Sequence, residues 1–97
     1  MIGESPYLYW KNHIVDKIIE RHGVCPEEVE EVILEDEPEV VRHGQDRYLI
    51  QGQTAAGRYL FIVLEQESKG IYVPITARDM SVKEKQSFKK RRIKKHY

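Results

Sequence analysis

Arg78 is the side chain whose setting in the sequence most clearly favours anion binding. Alternating apolar residues predict a strand over residues 71–77, immediately before it. Ser81 and Glu84 have the spacing of a capping box, which predicts that a helix begins at Ser81. A sharp corner is predicted at Arg78 and Asp79, and a guanidinium fixed there between the strand and the helix could bind a phosphate through two parallel hydrogen bonds. The alternative, which the strand pattern alone favours, is that Arg78 only pairs with a carboxylate of the acidic helix described below.

The charges of the chain are segregated although the formal net charge is zero. Residues 83–97 contain eight lysines and arginines and one glutamate, so this end carries +7 and the preceding part −7. Such a basic end favours an anionic partner, with nucleic acid the first candidate. The alternative is a solvated helix end whose cations complement the helix dipole. The residues predicted to contact phosphates, in a tail that is most basic from about residue 89, are Lys83, Lys85, Lys89, Lys90, Arg91 and Arg92.

Several classes of protein are disfavoured by composition. Cys25 is the single cysteine, so no internal disulfide can form and a reducing cytoplasm is expected. No apolar run reaches the ~20 residues of a membrane span, and no signal peptide is apparent. The four histidines are scattered, and no glycine-rich phosphate loop occurs. We therefore predict one cytoplasmic domain over residues 1–97, without metal, small-molecule cofactor or membrane partner.

Two helices are predicted in the first half of the chain. Apolar residues spaced along residues 10–19 predict a helix that ends at His22, with Gly23 in the left-handed conformation. A second helix begins at Pro26, and the segment from there to Val41 contains eight acidic residues and no cation. This acidic segment is consistent with a solvated face, a docking surface for a basic partner, or an internal counterweight to the basic end.

The remaining chain predicts a small, mostly antiparallel sheet. The continuous apolar run at residues 59–64 indicates a central strand covered on both faces. Pro74 cannot donate a ladder hydrogen bond, so it should lie at an edge or a bulge, and alternation places Tyr72 and Thr76 on one face. With two N-terminal helices and a C-terminal helix, the order (β)ααβββα predicts an α+β fold. Strands are predicted at residues 47–51, 58–65 and 71–77, with weaker candidates at residues 7–10 and 39–42.

Four short blocks of sequence occur in a characteristic order between about residues 10 and 88. They are Arg21-His22-Gly23-Val24 followed by residues 26–32, Arg47-Tyr48 with Gly52, Gly57-Arg58-Tyr59-Leu60, and Thr76-Ala77-Arg78-Asp79-Met80 with Glu84. Together these blocks resemble those of the BrnT family of bacterial toxins. The resemblance implies a RelE-like fold and ribonuclease activity in a type II toxin–antitoxin pair. It also implies an RNA substrate, no metal, and a small antitoxin protein as partner.

The implied reaction assigns roles to four residues. Metal-free RNA cleavage uses the ribose 2′-OH as nucleophile and requires a base, an acid and positive charge near the phosphorus. Arg47, Arg58 and Arg78 are predicted to converge on one face of the sheet and bind the phosphate. His22 is predicted to act in acid–base catalysis, with hydrogen bonding to the last helix carbonyls as the alternative. The capping box alone accounts for Glu84.

Three strand tyrosines, Tyr48, Tyr59 and Tyr72, could stack on RNA bases, although strand tyrosines are also common in cores and at their rims. The leading hypothesis is thus a cytoplasmic endoribonuclease toxin that is neutralised by an antitoxin. The alternative is a non-catalytic regulatory module of the same fold that binds RNA or a protein. A neighbouring gene that encodes a DNA-binding antitoxin would favour the first.

Overall fold

The computed structural model describes residues 6–95, and the α+β class predicted from the sequence is confirmed. The weak strand candidate at residues 39–42 forms a full strand, and the aromatic segment after Pro6 forms a short one. Within the described residues no helix is long and apolar enough to span a membrane. The elements are β1 (Tyr7–Leu8), α1 (Asn12–His22), α2 (Pro26–Glu35), β2 (Glu39–His43), β3 (Arg47–Gln53), β4 (Tyr59–Ser68), β5 (Ile71–Asp79) and α3 (Val82–Lys95).

The five strands form one sheet in the order β1-β5-β4-β3-β2. β1 runs parallel to β5, and the other neighbours are antiparallel. Helices α1 and α2 cover one face, where Ile18 and Val29 pack with Ile50, Leu60 and Ile62 in the hydrophobic core. This core orients the strands, because every second residue of β3 and β4 must point towards these helices.

Helix α3 lies against the opposite face, which we call the open face. Phe88 of α3 is buried against Tyr59, and their ring centroids are 6.0 Å apart. A row of directly paired residues across β2, β3, β4 and β5 also lies on this face: Val41, Leu49, Val63 and Thr76. Val41 is 52% exposed, so α3 covers only one end of the face. The prediction that residues 59–64 are central is confirmed, but their open-face side chains are only half-buried.

Pro74 lies at a bulge, as predicted from its missing N–H. The register of β4 with β5 shifts there: Val63 pairs with Thr76, and Leu64 pairs with Pro74. Ile75 is therefore the extra residue, and its carbonyl oxygen accepts a hydrogen bond of 2.7 Å from Lys17 Nζ of α1. The bulge thus places a residue that cannot donate where the ladder is already interrupted.

The bulge also exchanges the faces of β5. The prediction that Thr76 shares a face with Tyr72 is wrong, because one inserted residue reverses the alternation. Tyr72 points into the core, whereas Thr76 and Arg78 lie on the open face. The predicted corner at Arg78 is also displaced, since β5 continues through Asp79. Arg78 is therefore a strand residue with a strand neighbour on β4.

Candidate phosphate-binding site

Arg78 is held on the open face by contacts on three sides. Its guanidinium carbon lies 4.3 Å from the ring centroid of Phe61, which is its directly paired neighbour on β4. Nη1 and Nη2 donate to the two carboxylate oxygens of Glu84 at 2.8 and 3.0 Å. Nη1 also donates to the carbonyl oxygen of Asp79 at 3.0 Å. The expected partner from the acidic helix is thus wrong, and the carboxylate comes from the first turn of α3.

These contacts use three of the five N–H groups of Arg78. Within residues 6–95, the Nε–H and one N–H of Nη2 have no acceptor. Both belong to the same edge of the planar guanidinium, which is the edge that binds two oxygens of a phosphate or carboxylate. The Arg78 side chain is 36% exposed. It therefore retains a solvent-accessible pair of donors suited to a phosphate group.

Glu84 binds Arg78 and caps α3 at the same time. Its Oε1 accepts a hydrogen bond of 2.8 Å from the N–H of Ser81, and Ser81 Oγ accepts one of 3.2 Å from the N–H of Glu84. This is the predicted capping box. The hydrogen bonds from Arg78 are the main cause that lowers the pKa of Glu84 to about 2, with Ser81 adding to the effect. The carboxylate is therefore ionised at neutral pH, and its contact with Arg78 is the role that capping alone did not predict.

Arg58 has no donor left for a ligand. Nε and Nη2 donate to the Asp79 carboxylate at 2.7 and 3.2 Å. Nη1 donates to the carbonyl oxygen of Gly23 at 2.7 Å and to Glu28 at 3.1 Å. Nη2 also donates to the carbonyl oxygen of His22 at 3.0 Å. Two of the five N–H groups thus bind the end of β5, and the other three bind the junction of α1 and α2.

His22 lies at this junction with its side chain half-buried. The carbonyls at the end of α1 are satisfied by Arg58 and by the left-handed Gly23, whose φ is 62°. Within the described residues the imidazole makes no hydrogen bond, so the alternative role predicted for it is not observed. The hydrogen bond from Arg58 is the main cause that lowers the pKa of Asp79, and Nη2 of Arg58 joins that carboxylate to the carbonyl oxygen of His22. His22 therefore lies near the end of β5, and its acid–base role stays a prediction.

The expected convergence of three arginines on one face is wrong for Arg58. Side chains alternate along a strand, so Arg58 points to the same side as Leu60, towards α1 and α2. Arg47 lies on the open face with Arg78, but it is paired with Glu65 whereas Arg78 is paired with Phe61. Those partners are four residues apart on β4, which corresponds to about 13 Å. At this separation, Arg47 and Arg78 are placed to contact different phosphates of a nucleic-acid strand rather than the same phosphate.

Two arginines of the basic end bind the acidic segment. Arg91 Nε donates to Glu39 at 2.7 Å, and Arg92 donates to both carboxylate oxygens of Asp36 at 3.1 and 3.2 Å. Arg92 also donates to the carbonyl oxygen of Asp36 at 3.3 Å, so it completes the end of α2. For these pairs, the structure matches the hypothesis of an internal counterweight.

Two lysines of α3 are differently placed. Lys85 and Lys89 hold their ammonium groups 4.9 and 5.2 Å from the ring centroid of Tyr59. Within residues 6–95 neither forms an ion pair, so both remain candidates for phosphate contacts. The exposed side chains of Lys83 and Lys90 likewise form no ion pair with the part of the chain that the structure describes. The predicted contacts of all these residues with RNA stay predictions.

The three candidate tyrosines separate clearly. Tyr72 is 5% exposed and packs edge-to-face on Tyr48, with ring centroids 5.7 Å apart. Burial raises the pKa of Tyr72. Both rings belong to the core side of the sheet, whereas Tyr59 lies on the open face between Phe88 and the two lysines. Only Tyr59 of the three thus lies on the face that carries Arg78.

Comparison with known proteins bears on the fold of this chain. No model of a protein family matches the chain, and no curated protein matches it. Within the described residues no group of histidine, cysteine, aspartate and glutamate side chains is placed to hold a metal ion. The chain is similar in structure to the Brucella abortus ribonuclease toxin BrnT, known from a 1.1 Å crystal structure, with a TM-score of 0.64 and 15% sequence identity. The match covers 78% of this chain and 97% of the toxin, so the BrnT-like fold predicted from the sequence blocks is confirmed, while membership of the family and the relation to RelE stay predictions.

Proposed function

We propose that this protein is the toxin of a type II toxin–antitoxin pair and acts as a metal-independent endoribonuclease in the cytoplasm. The observation that carries the proposal is Arg78: on a BrnT-like fold, it presents two parallel donors on the open face that no group of the described residues 6–95 accepts. Arg47, on the same face, would contact another phosphate of the RNA. In this proposal Arg58 maintains the end of the sheet, because its donors are already used.

The proposed reaction is an intramolecular transesterification. The ribose 2′-oxygen attacks the adjacent phosphorus, the bond from phosphorus to the 5′-oxygen breaks, and the products carry a 2′,3′-cyclic phosphate and a 5′-hydroxyl. A base accepts the proton of the 2′-OH, and an acid donates a proton to the leaving 5′-oxygen. Arg78 would bind the two non-bridging oxygens and stabilise the negative charge that develops on them. His22, near the end of the same strand, is our candidate for one of the proton transfers.

The proposed partner is an antitoxin that covers the open face. The partly exposed apolar residues Val41 and Leu49, flanked by Arg47 and Arg78, support a protein partner that brings both apolar and acidic side chains. Such a partner would exclude RNA from the same face. Co-expression with the neighbouring gene product should yield a stable complex without ribonuclease activity, and cleavage at saturating antitoxin would contradict occlusion.

The test of the proposed activity is single-turnover cleavage of an end-labelled RNA, in EDTA for the RNA alone and in Mg²⁺ when ribosomes are added. The expected product carries a 2′,3′-cyclic phosphate. Binding of RNA without cleavage under both conditions would overturn the ribonuclease proposal and favour the regulatory module. If the protein neither binds nor cleaves RNA, the result would contradict an RNA substrate altogether.

A further inference from the structure

Glu84 has more contacts than a helix cap requires. The capping box uses only Oε1, which accepts the N–H of Ser81. Oε2 accepts a hydrogen bond from Arg78 and from no other group among residues 6–95. The second carboxylate oxygen therefore serves the arginine rather than the helix.

The edge of the guanidinium that a carboxylate occupies decides what remains for a ligand. Asp79 takes the Nε and Nη2 edge of Arg58, which is the edge best suited to a phosphate. Glu84 takes the terminal Nη1 and Nη2 edge of Arg78 and leaves the other edge free. An acid that approached Arg78 as Asp79 approaches Arg58 would close the site.

We propose that Glu84 is a positioning residue, which holds the Arg78 guanidinium over Phe61 so that its free Nε and Nη2 edge is oriented to bind an RNA phosphate. This inference rests on the proposed function and extends it to a residue that does not touch the substrate. Glu84 fixes the terminal edge, Phe61 supports one flat side, and the Asp79 carbonyl holds Nη1. A long arginine side chain loses much conformational freedom when it binds, and these contacts fix it in advance.

Two variants separate positioning from capping. Glu84→Gln keeps an oxygen that can accept the Ser81 N–H, but it replaces the other oxygen with an NH₂ group that faces the donors of Arg78. Ser81→Ala removes the hydroxyl of the capping box and leaves the contact between Glu84 and Arg78 in place. Ser81→Ala is therefore the matched control for any loss of helix stability.

The experiment measures cleavage rate, RNA binding and the order of Arg78 in the full-length protein. We expect Glu84→Gln to lower the single-turnover rate about 10-fold to 100-fold, because small misplacements of a positioned group are costly. Ser81→Ala should lower the thermal midpoint but leave the rate unchanged. The Nε–H NMR signal of Arg78 should broaden in Glu84→Gln and not in Ser81→Ala. In the double variant Arg78→Ala/Glu84→Gln, the rate should be no lower than in Arg78→Ala, since both changes remove one function.

The possible outcomes separate this inference from the proposed function. A rate for Glu84→Gln equal to that of wild type would overturn the positioning role. Faster cleavage or tighter binding by Glu84→Gln would show that Glu84 competes with the phosphate instead. If wild type does not cleave, the proposed function fails, and positioning is still tested by binding of a non-cleavable RNA with a 2′-O-methyl ribose at each position. We expect Glu84→Gln to bind that RNA more weakly than wild type. Equal affinities of the two proteins would overturn the positioning role of Glu84.

Discussion

Arg58 and Arg78 lie near the same end of the sheet and both bind carboxylates, yet they have different capacities. Arg58 uses all five N–H groups on Asp79, Glu28 and two helix carbonyls. Arg78 uses three and keeps a complete edge free of acceptors from residues 6–95. An arginine in a sequence motif therefore indicates ligand binding only when its hydrogen bonds within the protein leave donors for the ligand. The structure divides two similar side chains into one that joins elements and one that can receive a ligand.

Replacing Arg78 should give the largest effect on activity. Arg78→Ala is expected to lower the cleavage rate about 100-fold or more, because a preorganised donor to the transition state is lost. The loss of stability should not exceed about 1 kcal/mol, the usual contribution of a partly exposed ion pair, since Glu84 can still cap α3. Arg78→Lys should restore little activity, because an ammonium group cannot bind two oxygens as a guanidinium does. Single-turnover kinetics and urea unfolding measure both quantities, and equal rates for wild type and Arg78→Ala would remove Arg78 from the mechanism.

Replacing Arg58 should show the opposite pattern. Arg58→Ala leaves the acceptors at the α1–α2 junction without their donor, so we expect a loss of about 2 kcal/mol in the free energy of unfolding. The rate per folded molecule, measured at low temperature, should remain within a few-fold of wild type. If this variant instead keeps its stability and loses cleavage as Arg78→Ala does, Arg58 is catalytic as first predicted and the comparison fails.

A histidine pair tests whether the junction beside Arg58 also contributes chemistry. His22→Ala is expected to lower the cleavage rate about 10-fold or more, whereas complete loss of a general acid or base typically costs about 100-fold or more. His13→Ala is the matched control, because His13 is exposed at the other end of α1. Rates are measured against pH for both variants. Identical profiles for wild type and His22→Ala would exclude His22 from proton transfer.

The basic residues of α3 should divide as the two arginines do. Lys85→Ala/Lys89→Ala is expected to reduce the slope of log affinity against log salt concentration by roughly 1.4, the value for two lost phosphate contacts of single-stranded RNA. Arg91→Ala/Arg92→Ala should instead lower stability, because these residues bind Glu39 and Asp36. Salt titrations of RNA binding provide the measurement. An equal loss of slope in both variants would show that the division is wrong.

The smallest expected effect is a change of stability with acid. The pKa of Glu84 is lowered in the folded state from 4.5 to about 2, so the ionised carboxylate stabilises the fold at neutral pH. This contribution should decrease as the pH falls from about 4.5 towards 2, and it should be absent in Glu84→Gln. Urea unfolding at a series of pH values compares the two proteins. Parallel curves across this range would contradict a stabilising contact between Glu84 and Arg78.

Local signals predicted the parts of the fold that depend on neighbouring residues. The capping box of Ser81 and Glu84 and the left-handed Gly23 form as expected, because each uses contacts within a few residues. The position of Pro74 at a bulge followed from its missing N–H. The face of the sheet on which each residue lies was not predicted correctly beyond Ile75, because the sequence alone does not reveal the extra residue of the bulge.

The candidate site was predictable only in part. Arg78 and Glu84 are close in sequence, so their contact is compatible with the predicted strand, corner and helix. The hydrogen bond from Arg58 to Asp79 joins residues 21 positions apart in the sequence, and the one from Arg58 to the carbonyl oxygen of His22 joins residues 36 positions apart. Such contacts depend on how α1 and α2 pack against the sheet, which the local pattern does not specify.

The long-range contacts at the ends of α1 and α2 bear on how the protein folds during synthesis. These helices have 11 and 10 residues, below the length at which an isolated helix is stable in water. Their last carbonyls receive hydrogen bonds from Arg58 and Arg92, and Arg92 follows Asp36 by 56 residues. We expect a nascent chain to remain incompletely folded until α3 has left the ribosome. The open face would then be complete only after α3 has emerged, so the proposed contacts with RNA or with a protein partner would follow that step.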